Sequence, residues 1–115
     1  VAVENGTVYV SGQLPIDPST GKFAGDTIEA QTEQSIKNIM AILAENGMSL
    51  DDVVKTTVFL SDIDEFGAMN KVYAEFFTEP FPARAAFQVA ALPQGAKVEI
   101  EVVATFSCRQ GRRGK

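Results

Sequence analysis

The segment KVEIEVVATF, residues 97–106, sets Val98, Ile100 and Val102 against Glu99 and Glu101 in strict alternation. A period of two belongs to a β-strand with one apolar and one polar face. VVKTTVFL (Val53 to Leu60) is rich in β-branched residues and reads as a second strand, buried on at least one face. The chain opens on VAV-ENG-TVYVSG, a β-hairpin whose Asn5-Gly6 pair supplies the positive φ angles of a tight turn. Its first arm has three residues, short enough to expect that the natural chain starts further upstream. DPSTGK, residues 17–22, reads as a loop. FPARAAFQVAALP, residues 81–93, reads as a strand despite its alanines, because proline precedes it and Phe87, Val89 and Ala91 alternate. PQGA then closes a hairpin onto the strand that begins at Lys97.

Helical spacing occurs in two places between these strands. From Asp26, residues Ile28, Ile36, Ile39, Met40 and Leu43 fall mostly on one face; Asp26 with Glu29 fits a capping box, and Gly47 fits the C′ position. Phe66, Met69, Asn70, Tyr73, Phe76 and Phe77 line one side of a second helix, which Pro80 and Pro82 end. The order β-β-α-β-α-β-β predicts an α+β single domain, a mixed or antiparallel sheet with both helices on one face. Thr7, Tyr9, Thr57, Phe59 and Ala86 are then expected on the other face, which is too apolar to stand open to water. A homo-oligomer that covers it is the expectation.

At 115 residues the chain suffices for one core, and its 45% hydrophobic and 22% charged residues are ordinary for a globular protein. No apolar run approaches the roughly 20 residues of a membrane helix. VAVENG has no basic stretch leading into an apolar one, so no signal peptide is read there. The single cysteine, Cys108, cannot form an internal disulfide, which fits a cytoplasmic protein. A net charge of -5 disfavours broad nucleic-acid binding. Basic residues gather in RQGRRGK, so residues 107–115 are expected as a basic, flexible tail after a domain of residues 1–106; a tail that touches nucleic acid is the alternative. With no histidine and one cysteine, Ser-His and Cys-His nucleophiles, histidine-based metal sites and thiolate zinc cages are excluded. No metal and no cofactor are expected; catalysis must use carboxylates, arginine, hydroxyls, backbone groups and water.

Arg84 is the residue in FPARAAFQVAALP that asks for an explanation. A guanidinium beside a core strand is costly to desolvate unless an anion meets it, and no acid lies within several positions of Arg84. It reads either as half of an interface ion pair or as a fork for a small carboxylate ligand. If PQGA closes a simple hairpin, Ala90 lies opposite Glu99, and Arg84 stands roughly 20 Å from Glu99 along the strand. The two could then meet only between chains. Glu99 and Glu101 read otherwise as solvated strand carboxylates. Ser11-Gly12-Gln13, at a strand end, could offer backbone N–H groups to an anion, and Asn70 could bond a loop.

Four stretches, VSGQLPIDPSTG, AQTEQSIKNIMAILAENG, VVKTTVFLSDIDEFGAMNKVYAEFF and FPARAAFQVAALPQGAKVEIEVVA, together resemble the Rid (YjgF-like) reactive intermediate deaminases over residues 1 to about 106. The pairing of P-A-R with a following L-P-x-x-A-x-V-E-I-E is the most specific element. The resemblance implies a chorismate-mutase-like α+β fold in a homotrimer, with the sheets forming a central barrel and clefts between subunits. It also implies cofactor-free hydrolysis of 2-iminopropanoate and 2-iminobutanoate, released by pyridoxal-phosphate-dependent dehydratases, to 2-keto acids and ammonia. Arg84 would bind the substrate carboxylate and Glu99 would hold the attacking water, with Gly12, Ala85, Ala86 and Asn70 as further substrate-binding positions. Ala86 stands where many members carry cysteine, and imine hydrolysis needs no thiol. The family's G-P-Y segment, whose tyrosine lines the cleft, precedes the first residue here. Three other readings stay open: non-catalytic binding of 2-keto acids, ribonuclease or translation-inhibiting activity, and chorismate mutase activity. The acidic charge and absent histidine count against the second, and scarce cationic groups against the third.

Overall fold

The structure is a computed structural model that describes residues 1–105. The tail expected over residues 107–115, and Cys108 within it, lie outside the described residues. The elements are β1 Ala2–Glu4, β2 Thr7–Gln13, β3 Ile16–Asp17, β4 Lys22–Phe23, α1 Ile28–Glu45, β5 Val53–Leu60, α2 Phe66–Phe76, β6 Ala83–Gln88 and β7 Val98–Thr105. The α+β expectation holds, with one mixed sheet in the order β1-β2-β7-β5-β6. The opening hairpin turns at Asn5 and Gly6, with φ of 51° and 79°. The loop of residues 17–22 is itself a small ribbon, β3 against β4, braced by Ser19 donating through N and Oγ to Asp17 Oδ1.

The expected hairpin between β6 and β7 does not form. β5 lies between them, parallel to β6 (Thr56 beside Arg84) and antiparallel to β7 (Phe59 beside Glu99). A parallel pair needs a long crossover, and α2 supplies it between β5 and β6. The chain leaving β6 then skirts the end of β5. Val89 N donates to Leu60 O there, and Ser61 N donates to Lys97 O, before β7 starts on the far side. A tight turn at Pro93–Gly95, with Gln94 and Gly95 at φ of 59° and 72°, redirects this connection. Alternation in the sequence identified both strands, but it does not say which strand is whose neighbour.

Two local expectations also change. The N-cap of α1 is Thr27, whose Oγ1 accepts from Ala30 N at 3.1 Å, in place of the expected box from Asp26. Thr27 is extended and one residue nearer, so its short side chain reaches the third helical N–H. Gly47 ends the helix at φ +73° as expected. Ala86 belongs to the helix face. It registers with buried Val58 and packs against the core, while Ala85 and Phe87 take the open face beside Thr57 and Phe59.

The core lies between the sheet and the two helices. Ile36, Ile39 and Leu43 of α1 and Met69 of α2 are fully buried with Val58, Leu60 and Ile100 of the sheet. Each such side chain stabilises by about 1.5–3 kcal/mol relative to exposure. Met40, expected on the apolar stripe of α1, is 40% exposed. Among the described residues nothing covers the opposite face, where Phe59 and Phe87 meet edge to face at 5.4 Å and Tyr9 and Phe87 are 49% and 44% exposed. Inside the core, Thr32 Oγ1 and Ser35 Oγ have no hydrogen-bond partner among the described residues. Leaving a buried hydroxyl unpaired costs about 1–3 kcal/mol. Ser35→Ala is therefore expected to raise stability by about 1 kcal/mol in urea unfolding; a loss of similar size would mean that the hydroxyl has found a partner.

Candidate functional site

The crossover β5-α2-β6 builds the surroundings of Arg84. In register with buried Thr56 on β5, Arg84 points to the helix face at the sheet's edge, where α2 passes over it. Phe66, Asn70 and Tyr73 are spaced i, i+4, i+7, so they form one stripe along α2. All three meet the guanidinium. Arg84 Nη1 donates to Asn70 Oδ1 at 2.5 Å, and Cζ lies 4.7 Å from the centre of the Tyr73 ring and 5.3 Å from that of Phe66. Tyr73 is itself fixed: its hydroxyl is 2.8 Å from buried Thr56 Oγ1, and its ring stacks on Phe77 at 4.4 Å.

Every one of these partners is uncharged. The ion pairs among the described residues are Lys37–Glu33 and Lys97–Glu65, and neither involves Arg84. Cation–π contacts are worth about 0.5–1 kcal/mol at exposed sites. They hold the guanidinium without neutralising it. Asn70 occupies one amino group, and the Nε and Nη2 donors have no partner among the described residues, a fork suited to one carboxylate. A cavity of about 420 Å³ opens beside Arg84, lined by Asn70, Tyr73, Ala74, Phe77, Phe81 and Pro82. Burial pushes the Tyr73 phenol above its ordinary 10.0, opposed by the Thr56 hydrogen bond and by the positive charge of Arg84. The ring is therefore neutral at physiological pH.

Glu99 is on the other face. It alternates with buried Val98 and Ile100, beside Phe59 and above the irregular stretch of β2 between Val10 and Gln13. Gly12 makes room for it: a β-carbon there would collide with Glu99 Oε2 and lie 2.7 Å from its Cδ. The following strand segment is tied to α1 by Asn38, whose Nδ2 donates to Leu14 O and Ile16 O at 3.1 and 2.9 Å.

The expected site residues therefore form two groups. Arg84 and Asn70 meet; Glu99 and Gly12 meet; within one chain the groups stay apart. By register, Arg84 and Glu99 differ by three residues along the strands and two strands across, about 10 Å each way, and they project from opposite faces. This replaces the expected hairpin separation and strengthens its consequence, since no rotamer crosses a sheet. Ala85 and Ala86 lie on edge strand β6, which pairs on one side only. Successive residues point their N–H and C=O to opposite sides, so one of the two faces outward. Sequence reading missed Phe66, Tyr73 and Thr56 as parts of the Arg84 surroundings. The i, i+4, i+7 stripe through Asn70 was the available signal, and it looked like ordinary core. Among the described residues no cluster of side chains suits a metal ion, and no helix is long and apolar enough to cross a membrane.

A mixed sheet with two helices on one face is the architecture of the YjgF-like domains. The chain belongs to the endoribonuclease L-PSP family, also called YjgF/RutC/Rid, whose profile matches residues 1–106. It is 51% identical over 100 residues to the RutC family protein y4sK of Sinorhizobium fredii, covering 87% of this chain and 79% of that one. It is 47% identical over 98 residues to the 2-iminobutanoate/2-iminopropanoate deaminase of Homo sapiens, covering 85% and 72%. Its structure resembles that of TdcF from E. coli with bound serine, at a TM-score of 0.86, 38% identity and coverage of 92% and 85%.

The Gly12 contact yields a test that separates position from stability. A flexible glutamate can swing away, so Gly12→Ala should change the melting temperature by no more than about 4 °C while displacing the Glu99 carboxylate. A crystal structure of the variant with Glu99 unmoved would remove the steric role assigned to Gly12.

Proposed function

We propose that the chain is a cofactor-free deaminase that hydrolyses small 2-imino acids, 2-iminopropanoate and 2-iminobutanoate, to 2-keto acids and ammonia, and that it works as a homotrimer. The observation that carries this reading is the guanidinium of Arg84, fixed by Asn70 and two aromatic rings and left without an acid among the described residues. The name of the human relative and the serine held by TdcF support ligands of this size and charge.

In this mechanism Arg84 binds the carboxylate of the protonated imine through two parallel N–H bonds, with Asn70 setting its orientation. The outward backbone of Ala85 or Ala86 bonds the ligand alongside. Glu99 of a second copy, with Gly12 beside it, faces the C=N carbon across the subunit cleft. Its carboxylate accepts a proton from water as the water oxygen bonds to that carbon. The resulting tetrahedral adduct carries an amino group, which takes up the proton and leaves as ammonia while the Glu99 carboxylate accepts the hydroxyl proton and the C=O bond forms. A protonated imine is already electrophilic, so the protein chiefly orients water and substrate. General-base help of this kind is worth about 10²- to 10⁴-fold in rate. The opposite-face geometry and the uncovered apolar face both support completion of the site by another subunit.

The test couples a threonine dehydratase to semicarbazide trapping of the released imine. Wild-type protein should lower the trapped product, Arg84→Ala should lose this effect, and Glu99→Gln should reduce turnover about 10²-fold or more while keeping 2-ketobutyrate binding. Binding without any effect on trapping would instead favour a non-catalytic 2-keto-acid protein. Light scattering at micromolar concentration should give three chains per particle, and a monomer would contradict the two-chain site.

A further inference from the structure

We infer that Tyr73, with Phe66, is a positioning residue that holds the Arg84 guanidinium in the orientation a carboxylate ligand requires. The inference deepens the reading of Arg84 as the carboxylate-binding group and rests on it.

Arginine on an exposed edge strand would ordinarily sample many rotamers, and ordering it on ligand binding would weaken affinity. Here several contacts order it beforehand. The two rings lie within cation–π range, Asn70 takes Nη1, and the Tyr73 ring is held at its far end by the buried Thr56 hydroxyl and along its face by Phe77. Thr56 stands beside Arg84 in the parallel register, so strand pairing sets the height of the ring relative to the guanidinium. A carboxylate in place of the rings would fix the arginine equally well but would occupy the charge and the fork meant for the ligand. Rings stabilise the cation through their quadrupoles and leave its edge donors unused. With one amino group on Asn70, the remaining Nε–Nη2 edge accommodates one planar carboxylate, and so a monocarboxylic acid.

The test measures binding of 2-ketobutyrate by calorimetry, imine turnover, and Arg84 Nε–H relaxation by NMR in ligand-free protein. Tyr73→Leu and Phe66→Leu should each weaken binding about 2- to 5-fold and raise KM in step, with kcat changed less. Tyr73→Phe keeps the ring and should recover most of the affinity. The Arg84 Nε–H should be rigid in wild type and Tyr73→Phe and mobile in Tyr73→Leu. Equal losses in Tyr73→Phe and Tyr73→Leu, or an Arg84 signal unchanged by Tyr73→Leu, would overturn the inference. Relaxation requires no ligand, so it tests the positioning role even if wild-type protein binds no keto acid, a result that would defeat only the reading of Arg84 as the carboxylate-binding group. Phe66→Leu repeats the test away from the Thr56 contact if Tyr73→Leu unfolds.

Discussion

A cation held by uncharged partners organises this molecule. A guanidinium at a sheet's edge commonly pairs with a carboxylate, which also cancels its charge. Arg84 has instead two aromatic rings and a side-chain amide, all from one stripe of α2. That choice leaves the positive charge available to something outside the chain, and it determines what surrounds it. α2 must cross directly over β6, so β6 must dock parallel to β5. Tyr73 must then reach the core at Thr56 to be held still. The β5-α2-β6 crossover is thus both a piece of the core and the frame of the site, and precision at Arg84 comes from regular elements rather than from a loop.

The sheet then imposes a division that no side-chain movement overcomes. Arg84 projects toward the helices and Glu99 away from them, so a site using both requires a second copy to bring its own Glu99 to the first copy's edge. The surface through which copies would meet is the one the described residues leave uncovered, where Tyr9, Phe59 and Phe87 stand beside Glu99 and Glu101. Under this reading the apolar side chains of that face supply the association energy.

The elements themselves were legible because periodicity reports directly on burial. Alternation through Val98, Ile100 and Val102, and helical spacing through Ile36, Ile39 and Leu43, both describe side chains that are now fully or almost fully buried. Pairing was not legible. Whether β7 folds back on β6 or passes to the far side of β5 depends on the connection through residues 89–97, whose Val89 and Lys97 backbone bonds to Leu60 and Ser61 carry no residue signature. The same gap put Ala86 on the wrong face, since a strand's two faces can be told apart by sequence only when their chemistry differs, and Ala85 and Ala86 do not. Arg84 could be nominated from the residues because a charge in an apolar strand is unusual, whereas the roles of Asn70, Glu99 and Gly12 came from the family resemblance. Their sorting into two groups needed the register. Tyr73 and Phe66 escaped notice because an aromatic residue that cradles a cation has the same spacing as one that fills a core.

The two groups also differ in how firmly they are held, and the difference suits their proposed tasks. The Arg84 group is tied into the buried interior through Tyr73 and Thr56, so its geometry is insured by core packing. A carboxylate-binding fork gains from such stiffness, because every rotamer frozen in advance is one that binding need not freeze. Glu99 rests against Gly12 and takes part in neither ion pair found among the described residues. A general base that must approach a water, take its proton and pass it to a departing amine gains from some freedom along that path. In the proposed mechanism orientation would fall to the cation and proton transfer to the carboxylate. Placing them on opposite faces of one sheet allows each to be built without compromising the other, provided that a neighbouring subunit brings them together.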